Sequence, residues 1–203
     1  MAKGSPRSTL HMQMGQETIY LLLAVAMFTT IILAGFLLAT LRERRREDPP
    51  IIVLPEAQGF SFAAGSAALT PRFEDRLRRL VLPRVRDIGR RYSASVIEVI
   101  GHTDAVPRST SALRSNLDTV LVPLLLGADT PLPVAVDNAG LGMARAVAVA
   151  RFMRREGLRD FTIVPLSAGP FLKPDDTGVA ANDDAADDAR RRIEVRLRRR
   201  EQR

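Results

Sequence analysis

The chain has 203 residues and a formal net charge of +7, which is enough length for one ordinary domain with appendages. It contains no cysteine, which excludes disulfides, thiolate metal sites, a cysteine nucleophile and a lipid-modified N-terminal cysteine. Its two histidines, His11 and His102, are far apart in sequence, so we expect no histidine-rich metal centre and no cofactor. Almost all the positive charge is arginine, which reflects biased composition or attraction to an anionic polymer or surface.

A long apolar run follows a polar N-terminal tail, residues 1–17. From Ile19 to Leu41 there is no charged side chain, which is long enough for a helix to cross a bilayer. A cleaved signal peptide is the alternative, but the apolar run is too long and lacks a convincing small-residue cleavage site. We therefore predict an uncleaved cytoplasmic tail, one transmembrane helix over residues 18–41 and a charged, proline-containing linker over residues 42–56.

We predict a domain over residues 57–203, with a short apolar strand just before it at Ile51–Leu54. The first half of this domain alternates strands and helices. Gly59–Phe62 is a second predicted strand. Thr70 is a natural N-cap and Pro71 suits the first helical position, while Pro83 must kink or restart the helix. The predicted buried side chains of this helix are Phe73, Leu77, Leu80 and Val81. Val96 to Ile100 reads as a central strand.

The second half begins with residues 105–136, a proline-interrupted stretch that we predict is an insertion, part helix and part loop, near the mouth of a site. A helix from Asn138 to Arg155 and a strand from Phe161 to Leu166 follow. Residues 190–198 alternate apolar and charged side chains, which predicts a half-buried strand with a solvated basic face. The helix is predicted to bury Leu141, Ala144, Ala148, Val149 and Phe152.

A small site of mixed charge is predicted where the central strand meets the second helix. Asp104 closely follows the strand, and Asn138 and Arg145 are two helical turns apart, so their side chains share one face. A carboxylate opposite an arginine and an amide suits a zwitterionic ligand. No nucleophile with its base is apparent, so we predict a binding protein and no catalytic residue. In the alternative, Asp104 and Arg145 pair with each other and brace the fold.

Four segments in order resemble the OmpA-like peptidoglycan-binding family, which includes the C-terminal domains of OmpA, Pal and MotB. They are Phe62–Pro71, Ile97–Asp104, Asn138–Met153 and Arg191–Val195. The resemblance implies an α+β fold of the order βαβαβ(α)β and a ligand in the peptide stem of peptidoglycan, commonly its diaminopimelate residue. The chain departs from the family pattern at Gly142, Met153 and Arg190, and in the length between Asp104 and Asn138.

The same resemblance assigns roles to six residues. Asp104 would hold the ligand's ammonium and Arg145 its carboxylate. Asn138 and Leu141 would shape the wall of the pocket. Arg191 and Arg192 would make further contacts, and His102 would be a packed strand residue rather than a base.

One membrane span joined to such a domain resembles MotB and its relatives in ion-driven motors, including ZorB of the Zorya phage-defence system. This resemblance implies a homodimer that works with a MotA-like or TolQ-like membrane subunit, as a stator or cell-wall anchor. Members of that group carry an acidic residue in the span for ion uptake, whereas this span has none. Glu17, just before the span, is the candidate for ion coupling; the alternative is an interfacial glutamate near a helix start.

The charges flanking the span oppose this interpretation. Four arginines follow the span, against Lys3 and Arg7 before it, so the positive-inside rule favours a cytoplasmic domain. Long domains often cross regardless of flanking charge, so we predict an inner-membrane protein with a periplasmic domain. The alternative function is a basic-patch binder of nucleic acid or anionic lipid. It lacks an aromatic platform beside its arginines, so we predict no nucleic-acid partner.

Overall fold

The computed structural model describes residues 6–44, 48–108, 114–180 and 183–200. The chain divides into two compact units, with the boundary between Glu47 and Asp48. The first unit contains helix α1 (Pro6–Arg44). Its stretch Thr18–Thr40 is long and apolar enough to cross a membrane, by length and composition. Three threonine hydroxyls in this stretch donate to backbone carbonyls three or four residues earlier, which satisfies them without water: Thr29, Thr30 and Thr40.

The second unit is built on a four-stranded sheet. Its strands are β1 (Ile52–Pro55), β2 (Val96–His102), β3 (Thr162–Gly169) and β4 (Arg192–Arg198). They lie in the order β1-β4-β2-β3, with β2 and β3 parallel and the other pairs antiparallel. Because β1 pairs with β4, the sheet includes part of the stretch 42–56 that sequence analysis assigned to the linker. The α+β class is confirmed.

The first helical region is a helix interrupted by one wide turn. Helix α2 (Pro71–Arg76) begins where predicted, and Thr70 Oγ1 accepts a hydrogen bond from Phe73 N at 3.2 Å. A π-helical turn, Leu77–Val81, then leads into α3 (Leu82–Tyr92). Pro83 lies in the first turn of α3, directly after the π-helical turn, and the helical residues run without a gap from Pro71 to Tyr92. The kink or restart predicted at Pro83 therefore takes the form of a local change of helix type rather than a break.

Two local predictions in this region were wrong. Leu80 is 57% exposed, because the buried residues of the π-helical turn are Leu77 and Val81 and Leu80 falls beside that stripe. Residues 59–62 form no strand: a 3₁₀ turn ends at Gly59, whose φ of +81° turns the chain out of extended geometry. The phenylalanine rings that follow pack on Phe73 instead.

The core lies between one face of the sheet and helices α3 and α5, where α5 spans Asn138–Arg155 as predicted. Most of the side chains predicted to face inward from α5 are buried, although Ala148 is half-buried. Helix α5 meets β2 at a glycine pair: a Cβ on Gly101 would lie 2.0 Å from the carbonyl oxygen of Gly142. This close approach brings the end of β2 against the first turns of α5.

The stretch 105–136 contains helix α4 (Leu117–Leu126), which packs on α5 through Val120 and Leu124. Asn116 ties the following loop to the start of α4: its Nδ2 donates to the Leu132 carbonyl at 3.0 Å, and its Oδ1 accepts from Val134 N at 2.7 Å. That this stretch is an insertion relative to the family stays a prediction.

The second face of β4 was predicted to be solvated, and this was wrong at its start. Arg192 and Glu194 are 5% and 4% exposed. Strand β4 is an inner strand, and the described residues 170–180 and 183–191 lie over this face, so that Arg192 Nη2 donates to the Lys173 carbonyl at 3.2 Å. The described part of this segment forms turns and one bridge, Leu172 to Gly178, rather than the optional helix before the last strand.

Candidate functional site

A cavity of about 410 Å³ lies beyond the C-terminal end of β2. Its walls come from the turn after β1, the loop of residues 62–65, the loop after β2 and the first turns of α5. Five of the six residues predicted to bind the ligand line it: Asp104, Asn138, Leu141, Arg145 and Arg191.

Arg145 is the buried cation of this cavity, at 6% exposure. Its Nε donates to the Ser66 carbonyl at 3.0 Å, and its guanidinium carbon lies 4.8 Å from the centroid of the Phe62 ring. Burial lowers the pKa of Arg145, and nearby Arg108 adds to this effect while Glu56 opposes it. No acidic side chain in the described part of the chain forms an ion pair with Arg145. The positive charge of its guanidinium is therefore not neutralised by a contacting carboxylate of these residues.

Asp104 is paired, but not with Arg145. Its Oδ2 accepts from Arg191 Nη1 at 2.8 Å. Arg191 also donates from Nε to Glu56 at 2.5 Å and from Nη2 to Asp188. Hydrogen bonds to Glu56 and Asp104 hold the pKa of Arg191 above its usual range. Arg191 therefore orients Asp104, and the direct brace between Asp104 and Arg145 is not formed.

The remaining wall residues fix the loops around the cavity. Asn138 Nδ2 donates to the Val106 carbonyl at 2.9 Å, which ties the loop after β2 to α5. Leu141 is buried beneath the cavity. The N-cap of α5 is Asp137, whose Oδ1 accepts from Gly140 N at 2.6 Å.

Three charged or aromatic lining residues were missed by sequence reasoning: Glu56, Phe62 and Arg108. Phe62 is the first residue of the first motif, and that position was the only signal for it. Arg108 Nη2 donates to the Ala135 carbonyl at 3.3 Å, and its buried Nε has no hydrogen-bond partner among the described residues. Nothing in the polar stretch around Arg108 distinguishes it, because its burial depends on contacts distant in sequence.

The structure does not bring Arg192 to this cavity. Neighbouring residues of an extended chain point to opposite faces, so Arg191 reaches this cavity whereas Arg192 lines only a much smaller adjacent one, which Arg145 and Arg191 also line. Arg192 Nε donates to Glu194 Oε1 at 2.8 Å, and His102 Nε2 lies 3.3 Å from the same oxygen. Burial would raise the pKa of Glu194, but the adjacent His102 ring and hydrogen bonds from Arg196 and Arg192 outweigh it and hold that pKa well below its usual range.

The predicted basic face of β4 is largely neutralised. Arg192 and Arg196 both pair with Glu194, and Arg198 Nε lies 2.5 Å from Oε1 of Glu98. Such pairing leaves little free charge on β4 for an anionic polymer. The side chains of Glu17 and of the arginines at 42–46 lie outside the described residues, so ion coupling by Glu17 stays a prediction.

The described residues contain no cluster of three or more histidine or acidic side chains that could hold a metal ion. The mixed charge of the cavity instead consists of two carboxylates, Glu56 and Asp104, and three guanidinium groups, Arg108, Arg145 and Arg191. A site of this kind can bind a small ligand that carries an ammonium group and an excess of carboxylates.

The chain matches no protein-family model and no curated protein. It is similar in fold to a MotB-like protein from Desulfovibrio vulgaris, with 22% identity, coverage of 74% of this chain and 75% of that chain, and a TM-score of 0.41. It is also similar in fold to the periplasmic domain of Helicobacter pylori MotB, with 16% identity, coverage of 74% of this chain and 81% of that chain, and a TM-score of 0.46. A third similar fold is an OmpA-like domain from Francisella tularensis, with 17% identity, coverage of 74% of this chain and 75% of that chain, and a TM-score of 0.38. These are the groups that the sequence motifs resemble, and the likeness is one of fold.

Proposed function

We propose that this protein is a single-span membrane protein whose second unit anchors a membrane complex to the cell wall by binding the peptide stem of peptidoglycan. The observation that carries the proposal is the cavity that holds Arg145, a buried cation without a carboxylate partner, together with Asp104. The free end of a diaminopimelate side chain has an ammonium and a carboxylate on one carbon atom. The two protein charges complement those two ligand charges.

The contacts of each group suggest how the ligand is held. Arg145 Nε donates to the Ser66 carbonyl, which orients the guanidinium. Its remaining N–H groups then donate to a carboxylate of the ligand. Arg191 occupies Oδ2 of Asp104, which leaves Oδ1 for the ligand's ammonium. Because the lining has one more guanidinium than carboxylate, it also favours the further carboxylates of a stem peptide. No histidine or cysteine lines the cavity, and we propose a binder rather than an enzyme.

We expect Asp104→Ala and Arg145→Ala each to weaken sedimentation of the detergent-solubilised full chain with insoluble peptidoglycan by about tenfold or more. Each variant removes a charge-assisted hydrogen bond of roughly 1.5–3 kcal/mol. Asp75→Ala and Arg79→Ala are matched controls, because these residues form an exposed pair one helical turn apart, away from the cavity lining. They should sediment like the unchanged protein. Undiminished sedimentation of both site variants, with unchanged circular dichroism, would remove the assignment of this cavity.

We also propose that α1 crosses the inner membrane uncleaved and that residues 48–203 lie in the periplasm. The length and composition of Thr18–Thr40 support a span, and peptidoglycan is available only on the periplasmic side. The arginines after the span argue for the opposite orientation.

A fusion of alkaline phosphatase after Arg203 is expected to be active, because that enzyme matures only outside the cytoplasm. A green fluorescent protein at the same position should stay dark after export through the general secretion pathway. Fusions of both reporters before Met1 serve as the matched control and should give the reverse pattern. A bright C-terminal fluorescent fusion with inactive phosphatase would place the domain in the cytoplasm and remove peptidoglycan as the ligand.

The wider assembly follows from the resemblance to MotB and ZorB. We propose a homodimer that works with a MotA-like or TolQ-like membrane subunit, with Glu17 as the candidate for ion coupling. A ZorB-like stator role in antiphage defence is the more specific form of this proposal. The neutralised arginines of β4 disfavour the alternative of a nucleic-acid or lipid binder.

A further inference from the structure

A second cavity, of about 610 Å³, adjoins the first one. Ala64 and Gly65 line both cavities, so a short loop forms the wall between them. The floor of the second cavity is a face of α5 that carries Ala144, Ala148 and Arg151. Its outer wall is the loop of residues 129–134, which Asn116 holds in place.

The lining of the second cavity is mostly apolar, and its small apolar residues lie on the short loop and on α5, beside larger ones such as Leu69, Leu132 and Phe152. Alanines contribute from both the short loop and α5, and two prolines contribute from the outer wall. Small side chains leave room for a methyl group of the ligand while still excluding water from it. The cavity therefore suits a short aliphatic group rather than a sugar ring with its many hydroxyl groups.

One cation in this lining has no partner. Arg155 Nη2 pairs with Glu74 Oε1 at 3.1 Å, which neutralises that end of the cavity. Arg151 is half-buried and makes no ion pair or hydrogen bond with a described residue. Asp129 lies exposed in the outer wall and repels anions there. A carboxylate entering the cavity is therefore drawn to Arg151 on the floor.

We propose that the second cavity binds the carboxy-terminal D-alanine of the stem peptide, with its methyl group among the alanines and its carboxylate on Arg151. This inference rests on the proposed function, since the D-alanine follows the diaminopimelate residue that the first cavity holds. The D-alanine carboxylate is separated from the free end of diaminopimelate by the whole diaminopimelate side chain and by one further residue of about 3.3–3.6 Å. Arg145 and Arg151 are six residues apart on α5, about 9 Å along its axis, which is compatible with this longer span. The second cavity thus distinguishes stem peptides that end in D-alanine from those that end in diaminopimelate.

The test compares two soluble disaccharide peptides by calorimetry with the detergent-solubilised full chain: a tripeptide ending in diaminopimelate and a tetrapeptide ending in D-alanine. The tetrapeptide is expected to bind about tenfold more tightly, the usual effect of one charge-assisted hydrogen bond. Arg151→Ala should remove this difference and leave tripeptide binding unchanged. Arg159→Ala, an exposed arginine outside the cavity, should change neither affinity, and Asp129→Asn should leave tetrapeptide binding equal or stronger.

Several outcomes would overturn the inference. Equal affinity for the two peptides, or equal weakening of both by Arg151→Ala, would remove the D-alanine subsite while leaving the first cavity's assignment intact. Weaker tetrapeptide binding by Asp129→Asn would mean that the second cavity recognises a cation instead. If Arg145→Ala loses affinity for both peptides, the first cavity binds the part that both peptides share, independently of the result at Arg151. Failure of the unchanged protein to bind either peptide would overturn both proposals.

Discussion

Gly101→Ala is expected to destabilise the second unit by about 3 kcal/mol or more and to abolish the proposed binding of peptidoglycan with it. The added Cβ would lie 2.0 Å from the carbonyl oxygen of Gly142 and 2.7 Å from its carbonyl carbon. Both atoms belong to the backbone of α5, so no side-chain rotation relieves the clash. The only relief is to separate β2 from α5, the two elements that hold Asp104 and Arg145 near each other.

The measurement is urea unfolding of the full chain in detergent, followed by far-ultraviolet circular dichroism. Gly178→Ala is the matched control, because a Cβ there meets no atom within 4 Å and its φ is not in the left-handed region. Its stability should change by less than about 0.5 kcal/mol. If Gly101→Ala changes the free energy of unfolding by less than about 1 kcal/mol, the close contact between β2 and α5 is contradicted.

Glu194→Gln is expected to cost about 3 kcal/mol at pH 7, because it leaves Arg192 buried without its carboxylate. The same carboxylate makes stability depend on pH. Its folded-state pKa is held well below the ordinary value of 4.5, so Glu194 stabilises the fold fully above that value. The contribution is lost as pH falls below about 4.5 towards the folded-state pKa.

Unfolding measured at several pH values between 7 and 3 tests both effects. We expect the Glu194→Gln variant to have a flatter acid limb than the unchanged protein, because the titrating group is gone. Glu74→Gln is the control: it removes a more exposed ion pair with Arg155 and should change stability at pH 7 by less than about 1 kcal/mol. An identical acid limb in Glu194→Gln and in the unchanged protein would show that this carboxylate is not responsible for the acid sensitivity.

Local physical rules account for what could be predicted without the structure. The cap at Thr70, the bounds of α5 and the strand that precedes Asp104 follow from hydrogen-bonding chemistry and periodicity within a few residues. The motifs then placed six residues in one predicted site. Five of them line one cavity, Asp104, Asn138, Leu141, Arg145 and Arg191, whereas the sixth, Arg192, does not.

Tertiary structure decided which charges pair and which remain free. The burial of Arg192 and Glu194 depends on β4 being an inner strand whose second face is covered by the described residues between 170 and 191. Alternation along the chain is the same for a covered face as for a solvated one. Asp104 pairs with Arg191 rather than Arg145 because the turn after β1 and the start of β4 converge beside β2. The sequence by itself determined the elements and the residue types of the site, whereas strand order and long-range packing determined their partners.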